Sequence, residues 1–178
     1  MRPLRRPLHR LAASWLLACS WLVLQAGQVC ADEISEYGMK AVLFYRLPQF
    51  VYWPSGEPEP KPMALCIIGK NPFGNAIGQL KQGNDNIELR LSPAEIGSCN
   101  LLFISRSESA NLDAWLNRAD SRRILTVSDI PGFARSGGMI ELPVEGERIG
   151  IVINRRSAMR KGFEFNAQLL RLARVINP

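Results

Sequence analysis

Hydrophobic and polar positions along the chain follow two different periods, which predict helices interleaved with strands. Apolar residues between positions 34 and 50 form two stripes of one helix, and Pro48 is expected to end or kink that helix at Leu47. A helix that is apolar on two sides packs between other elements or against a second subunit. Residues 54–62 contain four prolines and predict a connector, because proline fits neither a helix interior nor a central strand.

Beyond the connector, short apolar runs predict strands and periodic segments predict helices. Strands are expected at 63–68, 87–91, 100–105 and 123–127, with a hairpin formed by 139–142 and 149–153. Helices are expected after Asn71, which would be the N-cap, at 110–118, and at the end of the chain as far as Ile176. This alternation predicts an α/β fold, a sandwich with a mainly parallel sheet flanked by helices and an antiparallel hairpin at one edge.

The N-terminal segment has the pattern of a secretory signal peptide. Four arginines and no acidic residue precede an apolar run at 11–24, and Val29-Cys30-Ala31 offers small residues for cleavage near Ala31. We therefore expect residues 1–31 to be removed and residues 32–178 to form a single exported domain. Two alternatives are a lipid anchor on Cys19 and a transmembrane anchor, for which the run is short against the ~20 residues that cross a bilayer.

Removal of residues 1–31 changes what the composition implies. The full chain carries 22 Lys and Arg and 16 Asp and Glu, a net charge of +6, and without the four arginines of that segment 18 basic residues and a charge of +2 are left. The one histidine also lies in that segment. A chain without histidine excludes Ser-His-Asp and Cys-His nucleophiles and His-ligated metal sites. We therefore expect no enzyme, no cofactor and no nucleic-acid partner.

Cys66 and Cys99 are the cysteines of the expected exported domain, so they allow one intramolecular disulfide. Disulfides persist in the periplasm, and closing this loop is worth roughly 3–4 kcal/mol in the chain-entropy model. The bond would be either a structural staple or a redox-sensitive bond that couples oxidation to activity. Intermolecular pairing and free thiols are the remaining alternatives.

Two groups of residues are candidates for binding. Asn71, Arg106 and Asp129 each follow a predicted strand, and ligands bind beyond the carboxyl ends of parallel strands, so these residues could line a small polar pocket. Turn and cap chemistry is the simpler explanation for them. Basic residues near the end of the chain are either a solvated face or the polar rim of a partner surface. In the second case Phe163, Phe165 and Leu170 would be its apolar anchors, and Arg171 and Arg174 would belong to its rim.

Nearly all of residues 36–176 resembles the YfiR-like family of periplasmic regulators. The pieces that carry the resemblance are, in chain order, Lys40-Ala41 with Leu43-Phe44-Tyr45, Phe50 and Trp53-Pro54; Cys66 with Pro72-Phe73-Gly74; Cys99; residues 125–129 with Gly132-Phe133 and Gly137-Gly138-Met139-Ile140; and Leu169-Leu170-Arg171-Leu172-Ala173. Cys66 and Cys99 match the family's main disulfide. A second pair that some members carry near the hairpin has no counterpart here, and Leu47-Pro48 also departs from the family pattern.

The resemblance implies a regulator that binds the periplasmic sensor domain of an inner-membrane diguanylate cyclase and inhibits it, which controls cyclic-di-GMP and biofilm formation. It also implies a homodimer and an outer-membrane OmpA-like lipoprotein that sequesters the repressor. The alternative is a periplasmic module that binds a small molecule and has no cyclase partner. A hydrolase is disfavoured by the missing histidine.

Overall fold

The chain begins its described part with one long helix, which is followed by short strands and short helices. A computed structural model describes residues 29–54 and 61–178, with side chains from residue 36 onward; the predicted signal peptide lies outside these residues except for its last three positions. Contacts group Tyr37–Pro178 into one compact unit. The helices are α1 (Val29–Arg46), α2 (Ala76–Lys81), α3 (Leu112–Asp120), α4 (Arg155–Arg160) and α5 (Ala167–Leu172), and 3-10 turns lie at Leu47–Phe50, Ile96–Ser98 and Arg106–Asn111.

Seven strands form the main sheet: β2 (Met63–Ile68), β3 (Ile87–Leu91), β4 (Leu101–Ile104), β5 (Leu125–Ser128), β6 (Ile140–Glu141), β9 (Val152–Asn154) and β11 (Arg174–Ile176). Their order across the sheet is β11-β9-β6-β5-β4-β2-β3. All neighbours pair in parallel except β6 and β9, which are antiparallel. The mainly parallel α/β sheet confirms the predicted fold class.

Two small antiparallel ladders lie outside the main sheet. β1 (Val51–Tyr52) pairs with β10 (Glu164–Phe165), and β7 (Val144–Glu145) pairs with β8 (Arg148–Ile149). The second ladder forms the tip of the predicted hairpin, whose stem is the β6–β9 pair. β11 pairs with β9 on the side away from β6, so it is the outermost strand on that side of the main sheet.

The two faces of the sheet carry separate hydrophobic clusters, because side chains alternate along each strand. Leu65 and Phe103 face the larger cluster, together with Ala41 and Phe44 of α1. Cys66 and Leu102 face the smaller cluster, against which Trp115 of α3 packs. The sheet is thus covered on one face by the part of α1 that contains Ala41 and Phe44, and on the other face by α3.

Some predicted elements differ from the observed ones. The first helix stops at Arg46, where Pro48 enters a 3-10 turn, so Pro48 does end the helix as predicted. Asn71 is not a helix N-cap, because α2 begins at Ala76. The prediction that the last helix reaches Ile176 is also wrong. α5 ends at Leu172, and residues 174–176 form a strand that pairs with β9.

Candidate functional site

The carboxyl ends of β4 and β5 bring together two residues of the predicted ligand pocket. Arg106 follows β4 and Asp129 follows β5, and the two strands are parallel neighbours. Nε of Arg106 lies 3.2 Å from Oδ2 of Asp129 and donates a 3.1 Å hydrogen bond to the Asp129 carbonyl oxygen. The Asp129 side chain is buried and that of Arg106 is nearly half exposed. This ion pair therefore lies at the boundary between the interior and solvent.

Lys40 of α1 completes the cluster, a role that the sequence pattern did not indicate. Its ammonium group donates a 2.9 Å hydrogen bond to Oδ2 of Asp129, and both side chains are buried. The same ammonium lies 4.7 Å from the centroid of the Tyr37 ring, within the range of a cation–π contact. Lys40 shares a helical stripe with Tyr37 and Phe44, and a charge on a buried stripe signals a buried partner.

The other carboxylate oxygen of Asp129 is the unusual atom of this cluster. Among the described residues, Oδ1 is buried and has no hydrogen-bond partner. Buried polar atoms are rarely left unpaired, so such an oxygen is an acceptor for a water molecule or for an amine or hydroxyl of a ligand. The cationic groups of Lys40 and Arg106 already contact Oδ2, so a partner of Oδ1 need not carry a charge.

Asn71, the third residue of the predicted pocket, is engaged within its own turn. Its side-chain oxygen accepts a 3.0 Å hydrogen bond from the backbone N–H of Phe73, and its amide donates a 3.0 Å bond to the carbonyl oxygen of Gly74. This arrangement is the turn chemistry that was the simpler explanation for Asn71. The polar cluster therefore consists of Lys40, Arg106 and Asp129.

The segment that follows Asp129 is held by buried polar side chains. The carboxylate of Glu141 accepts hydrogen bonds of 3.0 Å from the backbone N–H groups of Gly132 and Ala134. The amide of Asn154 donates a 2.7 Å bond to the carbonyl oxygen of Ala134. Neighbouring strands thus supply the partners that the loop backbone needs, and the loop is fixed beside the polar cluster.

Gly138 closes this loop against an aromatic ring. A Cβ atom at Gly138 would lie 2.1 Å from Cε1 of Phe133, whose side chain is fully buried. The backbone N–H of Gly138 donates a 3.0 Å hydrogen bond to the Phe133 carbonyl oxygen. Only glycine allows the chain to pass this close to the ring.

Cys66 and Cys99 form the disulfide that the sequence allows. Their Cα atoms are 5.8 Å apart, and the bond joins β2 to Cys99, which lies two positions before the start of β4. Both residues are buried in the smaller hydrophobic cluster. Burial shields the bond from exchange with soluble thiols. This location fits the structural-staple interpretation.

The predicted partner surface near the chain end is partly wrong. Phe163 is fully buried and Phe165 is almost so, and both pack in the larger cluster, while Leu170 is half-buried against it. Arg171 and Arg174 are exposed. Phe163 and Phe165 stack into the core because the chain there pairs with β1 and does not continue a helix. The exposed apolar residues of the region are Leu172 and Val175.

Two open clefts meet where α3 and α4 end. One has a volume of about 540 Å³ and the other of about 620 Å³, and Asp120, Arg160 and Lys161 line both. The Lys161 ammonium lies 2.9 Å from Oδ1 of Asp120 and also binds the Asp120 carbonyl oxygen. Basic side chains at helix C-termini complement the helix dipole, so these cations have a local structural reason.

A small polar network stands at the start of α3. The carboxylate of Glu108 accepts hydrogen bonds from Nε1 of Trp115, at 2.8 Å, and from the amide of Asn111, at 3.1 Å. These two donors lower the pKa of Glu108 below its ordinary value, the Trp115 bond most. The guanidinium of Arg118 lies 4.5 Å from the Trp115 ring centroid.

The part of the chain that the structure describes contains no metal-binding cluster of three or more His, Cys, Asp or Glu side chains. Within the same residues, no helix has the length and apolar character needed to span a membrane.

These features define a class of protein: a mainly parallel α/β domain stapled by a buried disulfide, with a buried ion-pair cluster at the carboxyl edge of its sheet. The family model described as DUF4154, YfiR/HmsC-like, matches residues 37–174, and the chain belongs to this family. The family is regulatory rather than catalytic, and periplasmic. A search of curated proteins finds no match.

Proposed function

We propose that this chain is a periplasmic regulatory subunit that binds the periplasmic sensor domain of an inner-membrane diguanylate cyclase and inhibits the cyclase. In this function residues 1–31 direct export and are removed near Ala31. The chain acts as a homodimer, and an OmpA-like lipoprotein of the outer membrane sequesters it to relieve the inhibition. Cyclic-di-GMP and biofilm formation are the outputs.

The observation that carries the proposal is the family match over residues 37–174. Two features of the described residues are consistent with it. Their buried disulfide suits an oxidising compartment, and they include no histidine or metal-ligand cluster that could support catalysis. A regulator of this kind needs a stable fold and a recognition surface, and no reacting group.

Deletion of the gene tests the proposal directly. Cellular cyclic-di-GMP should rise in the deletion strain, return to its starting value when the gene is supplied again, and stay low when the cyclase is deleted as well. Unchanged cyclic-di-GMP and colony form in the single deletion would contradict the proposal. Binding between the purified chain and the cyclase sensor domain should be measurable by calorimetry.

A second candidate function, small-molecule binding, is favoured by the unpartnered Oδ1 of Asp129. A ligand with an amine or hydroxyl donor would occupy that position and contact Arg106. A thermal-shift screen with small metabolites should then find a stabilising compound whose effect is reduced in Arg106→Met. The absence of stabilisation across the set would count against this candidate.

A further inference from the structure

β11 is the outermost strand on one side of the main sheet. It pairs in parallel with β9, and no strand of the described chain pairs with its other side. Leu172, at the end of α5, is 72% exposed, and Val175, in the middle of β11, is 39% exposed. An open strand edge with apolar side chains is a template for another strand. We call Leu172 and residues 174–176 the β11 edge.

The hydrogen-bond pattern shows which groups of this edge point outward. The backbone N–H of Arg174 donates a 2.8 Å bond to the carbonyl oxygen of Ile151, so Arg174 faces β9. Along a strand, the N–H and C=O groups of successive residues point to opposite sides. The N–H and C=O of Val175 therefore point away from the sheet, where an added strand would bind them.

The charges around the edge indicate what kind of strand it accepts. Arg171 and Arg174 are exposed beside Val175, and the exposed Arg155 and Arg156 begin α4, which contacts β11. Oε1 of Glu145 lies 3.7 Å from Nη2 of Arg174. Both side chains are more than half exposed, so this pair neutralises little of the positive charge around the edge. A second copy of the chain would set arginines against arginines. An acidic strand complements the edge.

We propose that the β11 edge binds an extended, acidic segment of a partner protein by adding it to the sheet as a further strand. Main-chain hydrogen bonds to Val175 give the affinity, and the surrounding arginines select acidic side chains. The identity of the partner rests on the proposed function, in which the segment belongs to the cyclase sensor domain. The chemistry of the edge does not depend on that identity.

The opposite edge of the sheet provides a matched control. β3 is the outer strand there, and Leu91 is 54% exposed. The backbone N–H of Ser92 donates to the Ile67 carbonyl oxygen, so the N–H of Leu91 points outward as that of Val175 does. On β3, Nη2 of Arg90 forms an ion pair of 2.7 Å with Oε2 of Glu88. This second edge is therefore open and apolar but lacks the basic surroundings.

The first test is a titration of the purified, isotope-labelled chain, as the cell produces it, with a short blocked peptide that alternates Glu and Val. Amide shifts should change along β11, and the affinity should fall as salt is added. Val175→Pro removes the outward N–H at a position where an edge strand tolerates proline, and should weaken binding about tenfold or more. Leu91→Pro should bind as the wild type does.

Binding without loss in Val175→Pro, equal binding of a Lys/Val peptide, or no shift along β11 would overturn the proposal. If Val175→Pro fails to fold, the double variant Arg171→Glu/Arg174→Glu replaces it, with Arg46→Glu/Arg135→Glu as its charge-matched control at exposed sites elsewhere. Loss of peptide binding in the first pair and retention in the second is the expected result. Equal loss in both pairs contradicts the assignment to β11.

A second readout separates this proposal from the proposed function. In cells, Val175→Pro should raise cyclic-di-GMP to the level of the deletion strain while the protein accumulates normally, and Leu91→Pro should not. If the deletion itself leaves cyclic-di-GMP unchanged, the proposed function fails and the peptide titration alone decides on the β11 edge. If the deletion raises cyclic-di-GMP and Val175→Pro represses fully, the β11 edge is not the inhibitory surface.

Discussion

The ammonium group of Lys40 lies 2.9 Å from Oδ2 of Asp129, and this contact joins α1 to the end of β5 across 89 positions of sequence. Both side chains are buried, so the pair is shielded from solvent and salt. Nε of the partly exposed Arg106 lies 3.2 Å from the same oxygen. The part of α1 that contains Lys40 is thus tied to the carboxyl ends of β4 and β5.

Loss of the Lys40 ammonium should strongly destabilise the fold. Lys40→Met leaves a buried carboxylate with only the partly exposed Arg106, and we expect the free energy of unfolding to fall by about 3–5 kcal/mol. Denaturant unfolding measures this change. Lys70→Met, at an exposed lysine, is the control and should shift the free energy by less than about 0.5 kcal/mol. The double variant Lys40→Met/Asp129→Leu should recover most of the loss; a double variant as unstable as Lys40→Met would contradict the buried-pair argument.

Removal of the disulfide should lower the free energy of unfolding by roughly 3–4 kcal/mol, because the bond closes a loop across 33 positions. Cys66→Ser, Cys99→Ser and the double variant should lose similar amounts in urea unfolding. Reductant should destabilise the wild type and leave the double variant unchanged. In cells, the single variants should also lose repression through loss of folded protein. A fully stable variant that still represses would rule out the staple interpretation.

Two glycines should respond to alanine in opposite directions. Gly138→Ala places a Cβ 2.1 Å from the buried ring of Phe133 and should cost about 1–3 kcal/mol. Gly78 lies in α2 with nothing within 4 Å of an added Cβ, so Gly78→Ala should stabilise by about 0.5–1 kcal/mol. Thermal unfolding of both variants checks the signs. A neutral Gly138→Ala would show that the loop has room to move.

The hydrogen bond from Trp115 should be visible in the titration of Glu108. Because the pKa of Glu108 is lowered in the folded chain, its contribution to stability is present above the unfolded-state pKa and is lost as the pH falls through the folded one. Trp115→Phe removes the donor and should move the Glu108 pKa up toward its ordinary value. Carbon-detected NMR titration of the Glu108 carboxyl measures this. Asn111→Ala should produce a smaller upward move; the reverse order would contradict the ranking of the two donors.

Features with a local cause could be predicted from the sequence. The apolar runs that became β2 and β4 were found because a buried parallel strand must be apolar on both faces. The sequence allowed the disulfide without requiring it, because the expected removal of residues 1–31 leaves two cysteines and two cysteines allow one intramolecular pair. Pro48 ended α1 as expected because a proline removes a backbone donor and clashes with the preceding turn.

Features with a non-local cause could not be predicted. The spacing of Leu169, Leu172 and Ile176 satisfied a helix, but residues 174–176 found backbone partners in β9, which the local pattern does not encode. Phe163 and Phe165 were predicted as surface anchors because the local pattern does not encode the pairing of their segment with β1, on which their burial depends. The partner of Lys40 lies far along the sequence, so only its place on an apolar stripe could have signalled the pair.

The ladder between β1 and β10 has a consequence for how the chain reaches its native state. β2, β3, β4 and β5 are neighbours both in space and in sequence, so they can assemble from one end of the chain. Val51 and Phe165 are paired across most of the domain's length. That contact can form only after nearly all of the domain has been synthesised. The β1–β10 ladder is therefore expected to form late in folding, and its presence distinguishes the native chain from a partly folded one.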